Sequence, residues 1–133
     1  MLSASTGERY VFVYGTLRRG DDNDITLRQP VPRFVGEACI AGTLYHLGAY
    51  PGAVLGGSGV VLGEVYAISP ALERDLDELE AVYPQQTDEY AKREIPVEVA
   101  GRTLRCIVYE INPHYLAGAP ILPGGDWVRE RHG

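Results

Sequence analysis

Two short stretches of this chain combine residue types that can do chemistry. The first is a turn. Tyr10-Val11-Phe12-Val13-Tyr14 is β-branched and aromatic and stops at Gly15, the pattern of a buried strand running into a turn. Gly15 can take backbone angles closed to other residues. Successive N–H groups of Gly15, Thr16 and Leu17 would then point into one concavity and hold an anion or a developing oxyanion. Arg18 and Arg19 would add positive charge nearby. The same residues also fit an ordinary strand-ending turn with two solvated arginines, and the turn alone does not choose between the two.

The second feature is Glu80. Ser69-Pro70 marks a helix start, with Ser as the cap and Pro at the first helical position. Leu72, Leu76, Leu79 and Tyr83 recur at helical spacing, which predicts one face packed on a sheet, and Pro84 predicts the helix end. On that wheel Glu80 falls beside Leu76, at the border of the apolar stripe, whereas Glu73 and Asp77 fall toward solvent. Partial desolvation and the negative end of the helix dipole both raise a carboxyl pKa. A raised carboxyl suits general acid–base work near neutral pH. A solvated glutamate at a helix edge is the other reading of the same pattern.

Other chemistries find less support. His46, His114 and His132 lack the spacing of metal ligands and no CxxC occurs, so no metal site is expected. Gly57-Ser58-Gly59 is not the GxSxG nucleophile elbow, and the GxxxxGK[ST] phosphate loop is absent. No cofactor is implied. Cys39 and Cys106 each lie inside a strand-like run and are expected to be buried thiols in a reducing compartment, with a disulfide as the alternative.

The elements that must position these residues follow from the rest of the chain. Its 133 residues fit one domain, 1–133, with residues 1–9 read as a short frayed tail. Hydrophobic residues make up 45% and charged residues 23%, a balance that supports a packed core. Twelve Lys and Arg are outnumbered by eighteen acids, giving a net charge of −6. That balance disfavours nucleic acid and anionic membrane surfaces as partners. No stretch approaches the ~20 apolar residues of a membrane span, and the N-terminus has no secretory pattern. Cytoplasm is the expected location, and no pattern specifies an oligomeric state.

Asn23 or Asp24 is placed to cap a short helix through Leu27, closed off by Pro30 and Pro32. Further strands are predicted from Glu37 to about Leu47, from Val60 to Ile68, from Ile95 to Val99 and from Thr103 to Ile111. Gly63 inside the third strand marks a bulge or a close backbone approach. The last two strands form a hairpin through Ala100-Gly101-Arg102. Tyr50-Pro51-Gly52, Gly56 to Gly59 and Gln85 to Glu89 are predicted loops, and the tail from Pro113 to Trp127 is predicted to be irregular. Mostly strands, one clear helix and no βαβ alternation predict an α+β domain, a curled sheet or small barrel with helices at its rim.

With these segments in place, the sequence resembles the gamma-glutamylcyclotransferase-like family, gamma-glutamylamine cyclotransferases included. Val13-Tyr14-Gly15-Thr16-Leu17-Arg18-Arg19-Gly20, followed by Asn23, is similar to the family's opening signature. Gly42-Thr43-Leu44-Tyr45, Tyr50-Pro51-Gly52 and Gly63-Glu64-Val65-Tyr66 match later segments in order. Leu76-Asp77-Glu78-Leu79-Glu80 resembles its acidic helix end, and Gly125-Asp126-Trp127 the close of many bacterial members. The chain departs from the pattern in having Ala81, not Gly, after Glu80. It also has Arg93 three residues after Tyr90, where members often show Tyr-x-Arg.

The resemblance implies a compact mixed, mostly antiparallel β-barrel with one main flanking helix. It implies an enzyme that converts a gamma-glutamyl amide to 5-oxoproline and a free amine or amino acid. Tyr14, Gly15, Thr16 and Leu17 would bind the gamma-glutamyl group, and Glu80 would handle the proton. A non-catalytic small-molecule or anion-binding module of the same fold is the alternative.

Overall fold

A computed structural model describes residues 9–80 and 88–132 of the chain. Five strands form one sheet: β1 (Arg9–Val13), β2 (Arg33–His46), β3 (Pro51–Ile68), β4 (Tyr90–Val99) and β5 (Arg102–Ile111). Helix α1 (Pro70–Leu79) follows β3, and a short α2 (Trp127–His132) ends the described chain. The strand order is β2-β3-β1-β5-β4. Only the β1–β5 pair is parallel; β1–β3, β2–β3 and β4–β5 are antiparallel.

The sheet curls but does not close, so the barrel expectation goes one step too far. Strands β2 and β4 lie at the two ends of the strand order and share no ladder among the described residues. The curl still brings them together: a Cβ on Gly36 of β2 would stand 2.9 Å from Val99 Cγ2 of β4. Side chains of all five strands fill the hollow, Phe12, Ile40, Val65, Val97 and Val108 among them, together with Trp127 of α2. The opposite face carries a second apolar cluster beneath α1, built from Val11, Val13, Ile68, Leu72, Leu76 and Ile107.

Central placement explains why β1 is apolar from Val11 to Val13. Its neighbours β3 and β5 pair along both edges, and its alternate side chains enter the two different clusters. No face is left for polar residues. Arg9, assigned to a tail by sequence, instead opens this strand opposite Ile68 and donates to Glu94 at 2.8 Å. The rest of that expected tail, residues 1–8, lies outside the described residues.

Helix α1 starts as predicted. Ser69 Oγ accepts from Leu72 N at 3.1 Å and Pro70 takes the first position. The helix ends at Leu79, with Glu80 as the C-cap at φ −86° and ψ 2°; a ψ near zero takes the backbone off the α-helical path. Tyr83 and Pro84 lie outside the described residues. Asp24, rather than Asn23, caps the single 3-10 turn Ile25–Leu27 by accepting from Thr26 N. The predicted loop at Gly56 to Gly59 is a protrusion within β3: pairing with β2 passes from Ala41↔Val60 to Gly42↔Leu55 across it. Cys39 is exposed and Cys106 buried, and both are free. The expected burial fails at Cys39 because strand β2 points that residue to solvent.

Gly63 is a close approach and not a bulge. A Cβ there would stand 2.3 Å from Val13 O and 2.6 Å from Phe12 Cζ, and backbone cannot yield as a flexible side chain can. Gly63→Ala is therefore expected to cost about 1–3 kcal/mol or more by overpacking. Gly124→Ala, with open space at its Cβ position, should stay within about 0.5 kcal/mol of the parent. Urea unfolding of the two variants measures the contrast.

Candidate functional site

The turn and the glutamate singled out by sequence meet in one cavity of about 330 Å³, the lower end of the range for small-molecule sites. Tyr14, Gly15, Thr16 and Leu17 form one wall and Leu79 and Glu80 another. Strand β1 delivers the turn and the end of α1 delivers the glutamate, so two adjacent elements of the fold set their separation.

The turn is held by its own hydrogen bonds. Arg18 N donates to Gly15 O at 3.0 Å, Asn23 N to Thr16 O at 2.9 Å and Ile25 N to Leu17 O at 2.9 Å. Asn23 Nδ2 also donates to Thr16 Oγ1 at 3.0 Å. The amides of Gly15, Thr16 and Leu17 donate in no hydrogen bond among the described residues. Gly15 is required for space, not for unusual angles. It is not among the positive-φ glycines, but a Cβ there would stand 2.8 Å from Pro51 Cγ on the neighbouring wall.

The arginines do not serve the cavity as the sequence suggested. Arg18 is drawn inward, where its Nε lies 3.1 Å from Glu64 and its guanidinium 2.7 Å from Asp126. Arg19 sits over the Phe34 ring at 5.4 Å, while its amide donates to Glu64 at 3.0 Å. Neither side chain lines the cavity. Their work is to fasten the turn to β3 and to the segment before α2, because a buried Glu64 demands a cationic partner.

Tyr14 is buried and its hydroxyl is fully used: it donates to Tyr109 O at 2.6 Å and accepts from Ala53 N at 3.2 Å. Burial, with Glu80 next in weight, pushes its pKa upward, so it stays a neutral phenol. A ligand beside Tyr14 therefore meets its ring and backbone.

Glu80 has the property that its helix-border position predicts. Its carboxyl pKa is pushed up to about 7, chiefly by burial and then by the negative charge of Glu89, with Arg28 pulling the other way. Burial destabilises the ionised form and a second carboxylate adds to that. Glu80 N still donates to Leu76 O at 2.9 Å, which ties the residue to the helix.

Several cavity residues escaped the sequence reading. Tyr50, Glu89, Tyr90 and Tyr109 all line it. Tyr50 donates to Glu89 Oε2, and Tyr90 donates to Pro51 O at 2.9 Å. Tyr109 had a readable signal: one polar tip directly after the apolar Cys106-Ile107-Val108 run. Leu79, expected to pack on the sheet, is 41% exposed and borders the cavity, because the helix end overhangs the opening. Asp77, expected in solvent, is buried. Among the described residues no group of three His, Cys, Asp or Glu side chains is placed to hold a metal. No helix among them is long and apolar enough to cross a membrane.

Comparison with known proteins gives this arrangement a family. The family model described as "Gamma-glutamyl cyclotransferase, AIG2-like" matches residues 11–129. The chain is 34% identical over 119 residues to the gamma-glutamylcyclotransferase family protein YtfP of Escherichia coli (strain K12), covering 89% of this chain and 95% of that protein. It is 38% identical over 74 residues to the gamma-L-glutamyl-butirosin B gamma-glutamyl cyclotransferase of Niallia circulans, covering 55% of this chain and 46% of that one. The crystal structure of an AIG2-like protein from Mus musculus superposes with a TM-score of 0.70 at 28% identity, over 87% of this chain and 86% of that one. The chain therefore belongs to the gamma-glutamyl cyclotransferase, AIG2-like family and is an enzyme of the cyclotransferase type.

Proposed function

We propose that this enzyme cleaves a gamma-glutamyl amide by intramolecular acyl transfer, giving 5-oxoproline and a free amine or amino acid. The observation that carries the reading is a carboxyl with a pKa near 7, Glu80, in the same cavity as the turn Tyr14–Leu17. The substrate's α-amine attacks its own γ-carbonyl carbon and closes a five-membered ring. The bond to the leaving nitrogen then breaks. Glu80 takes a proton from the α-amine nitrogen as it bonds to the carbonyl carbon and delivers one to the leaving nitrogen, so the carboxylate is regenerated each cycle. The amides of Gly15, Thr16 and Leu17 supply donors for an anionic oxygen of the gamma-glutamyl group. Tyr14, as a neutral buried phenol, shapes the wall against which that group folds. Holding amine and carbonyl together supplies several kcal/mol through proximity. The relative from Niallia circulans, named for a gamma-glutamyl substrate, supports an acyl group of this kind.

A panel of gamma-glutamyl amides and gamma-glutamyl amino acids, assayed for 5-oxoproline, tests the reaction. No 5-oxoproline from any member, or turnover of an α-linked glutamyl peptide, overturns it. Within this reaction Glu80→Gln should lower turnover on the order of 10²–10⁴-fold, whereas Glu78→Gln, on the exposed side of α1, should match the parent. Parent kcat/KM should rise with pH through about 7 as Glu80 ionises, and the residual rate of Glu80→Gln should lack that limb.

The raised carboxyl also has a signature in stability. The folded chain holds this proton more tightly than the unfolded chain, so stability falls as pH rises from about 4.5 to about 7. Above that window the ionised, half-buried group carries its full cost. Glu80→Gln should then be more stable than the parent at pH 8 by on the order of 2 kcal/mol, and equal to it at pH 4. Thermal unfolding at the two pH values checks the sign.

Gly15→Ala addresses the other wall. The added methyl must displace Pro51, and binding of 5-oxoproline should weaken about tenfold or more, as expected when a packed wall shifts. Calorimetric titration of a folded variant with unchanged affinity would assign Gly15 to the turn alone.

A further inference from the structure

Asp77 is the feature that the reaction does not yet use. It sits on α1 one residue after the core-packing Leu76 and is buried, though its position on the helix wheel faces away from the main apolar stripe. Burying a carboxylate is costly unless it is paired and hydrogen-bonded. Here it is both. Asp77 Oδ1 accepts from the Tyr109 hydroxyl at 2.7 Å, and Oδ2 accepts from Lys92 Nζ at 2.9 Å. Lys92 in turn donates to Glu73 at 2.6 Å, one turn earlier on the same helix. One carboxylate thus joins α1 to β4 and to β5.

From Asp77, Tyr109 leads to the cavity in one direction and helix α1 in the other. Tyr109 lines it, and the backbone carbonyl of Tyr109 accepts the Tyr14 hydroxyl at the base of the binding turn. In the other direction Glu80 follows Asp77 by three residues. That is about 4.5 Å along the axis and some 60° round from the same face, and the Glu80 amide remains bonded to the helix. The chain Tyr14–Tyr109–Asp77 therefore spans from the turn to the helix that carries the glutamate.

We propose that Asp77, acting through Tyr109, is a positioning residue that fixes the distance between Glu80 and the Tyr14–Leu17 turn. It contacts no reacting atom. Its carboxylate also accepts the hydrogen bond of the Tyr109 hydroxyl, which leaves the phenol oxygen as an acceptor toward its other neighbours. This inference rests on the cyclisation reading.

The test is a kinetic comparison of Asp77→Ala, Asp77→Asn, Tyr109→Phe and the Asp77→Ala/Tyr109→Phe double variant. Each is paired with calorimetric binding of 5-oxoproline. Asp77→Ala should lower kcat about 10–100-fold, the scale of a misplacement near 1 Å, while 5-oxoproline affinity stays within about threefold of the parent, a gap far smaller than the kcat loss. Asp77→Asn keeps an acceptor for the Tyr109 hydroxyl and should recover most of the rate. Tyr109→Phe should resemble Asp77→Ala, and the double variant should be no worse than either, because all three cut one strut.

A merely structural role would lower the unfolding temperature without separating kcat from affinity. Folded variants with kcat within about twofold of the parent, or losses that multiply in the double variant, overturn the proposal. Should Asp77→Ala fail to fold, Tyr109→Phe removes one hydroxyl only and decides by the same criterion. A parent protein that releases no 5-oxoproline overturns the cyclisation reading and this inference with it; an active parent with active variants overturns this inference alone.

Discussion

The burial of β1 on both faces and along both edges is the constraint around which this molecule is organised. The stretch of a strand with no solvated side must be apolar, here Val11 to Val13, and it must end where its neighbours stop covering it. It ends at Val13, and the chain turns at once through Tyr14 and Gly15 to Leu17. The turn inherits the rigidity of the most protected strand in the sheet. The same sheet fixes the other half of the site, since β3 antiparallel to β1 leads directly into α1 and thus to Glu80. Both walls of the cavity are therefore referred to one strand, an arrangement suited to chemistry that depends on holding two ends of a small substrate together.

Charge is distributed to match. Of the cations near the turn, Arg18 is held by Glu64 and Asp126 and Arg19 lies over Phe34, both outside the cavity lining, so recognition of an anionic group there falls to backbone dipoles. Glu80 meanwhile shares the lining with tyrosines and with Glu89, and no cation is on that lining among the described residues. A carboxylate beside a lysine or arginine would be held ionised at low pH and would be a poor base. Separation of Arg18 from the cavity is thus part of what leaves Glu80 poised near neutrality. The lysine that does approach this region, Lys92, is occupied by Glu73 and Asp77.

Local signals in the sequence were enough for most of the fold. The cap at Ser69, the strand runs and the Ala100-Gly101 turn are short-range features. Residues Ala100 and Gly101 take φ values of 53° and 78°, as a two-residue hairpin turn requires. The turn Tyr14–Leu17 and Glu80 were legible for the same reason, each being marked by its own neighbours. What escaped depends on distant pairing. Asp77 reads as solvated on a helix wheel because its partners, Lys92 and Tyr109, arrive from strands 15 and 32 residues away. Arg18 reads as a free cation because Glu64 and Asp126 lie 46 and 108 residues on. Gly15 looked like a conformational requirement, and only the placement of Pro51 shows that it is a steric one. Closure of the sheet is likewise beyond periodicity, which gives strands but not whether the first meets the last.

An open curled sheet has two outer strands, and their unpaired peptide groups are a template for another chain. Both outer strands here carry interruptions. Strand β4 holds Pro96, which lacks a donor, together with the exposed charges of Arg93, Glu94 and Glu98. Strand β2 changes register twice against β3, between Phe34 and Gly36 and between Ala41 and Gly42. Opposite the second shift the Gly56–Gly59 protrusion, with Gly56 and Gly57 at φ 92° and 80°, departs from a flat ribbon. A neighbouring chain seeking to extend the sheet would find no long, regular, apolar edge on either side. The openness that distinguishes this sheet from a closed barrel therefore comes without the long flat edge that invites strand addition.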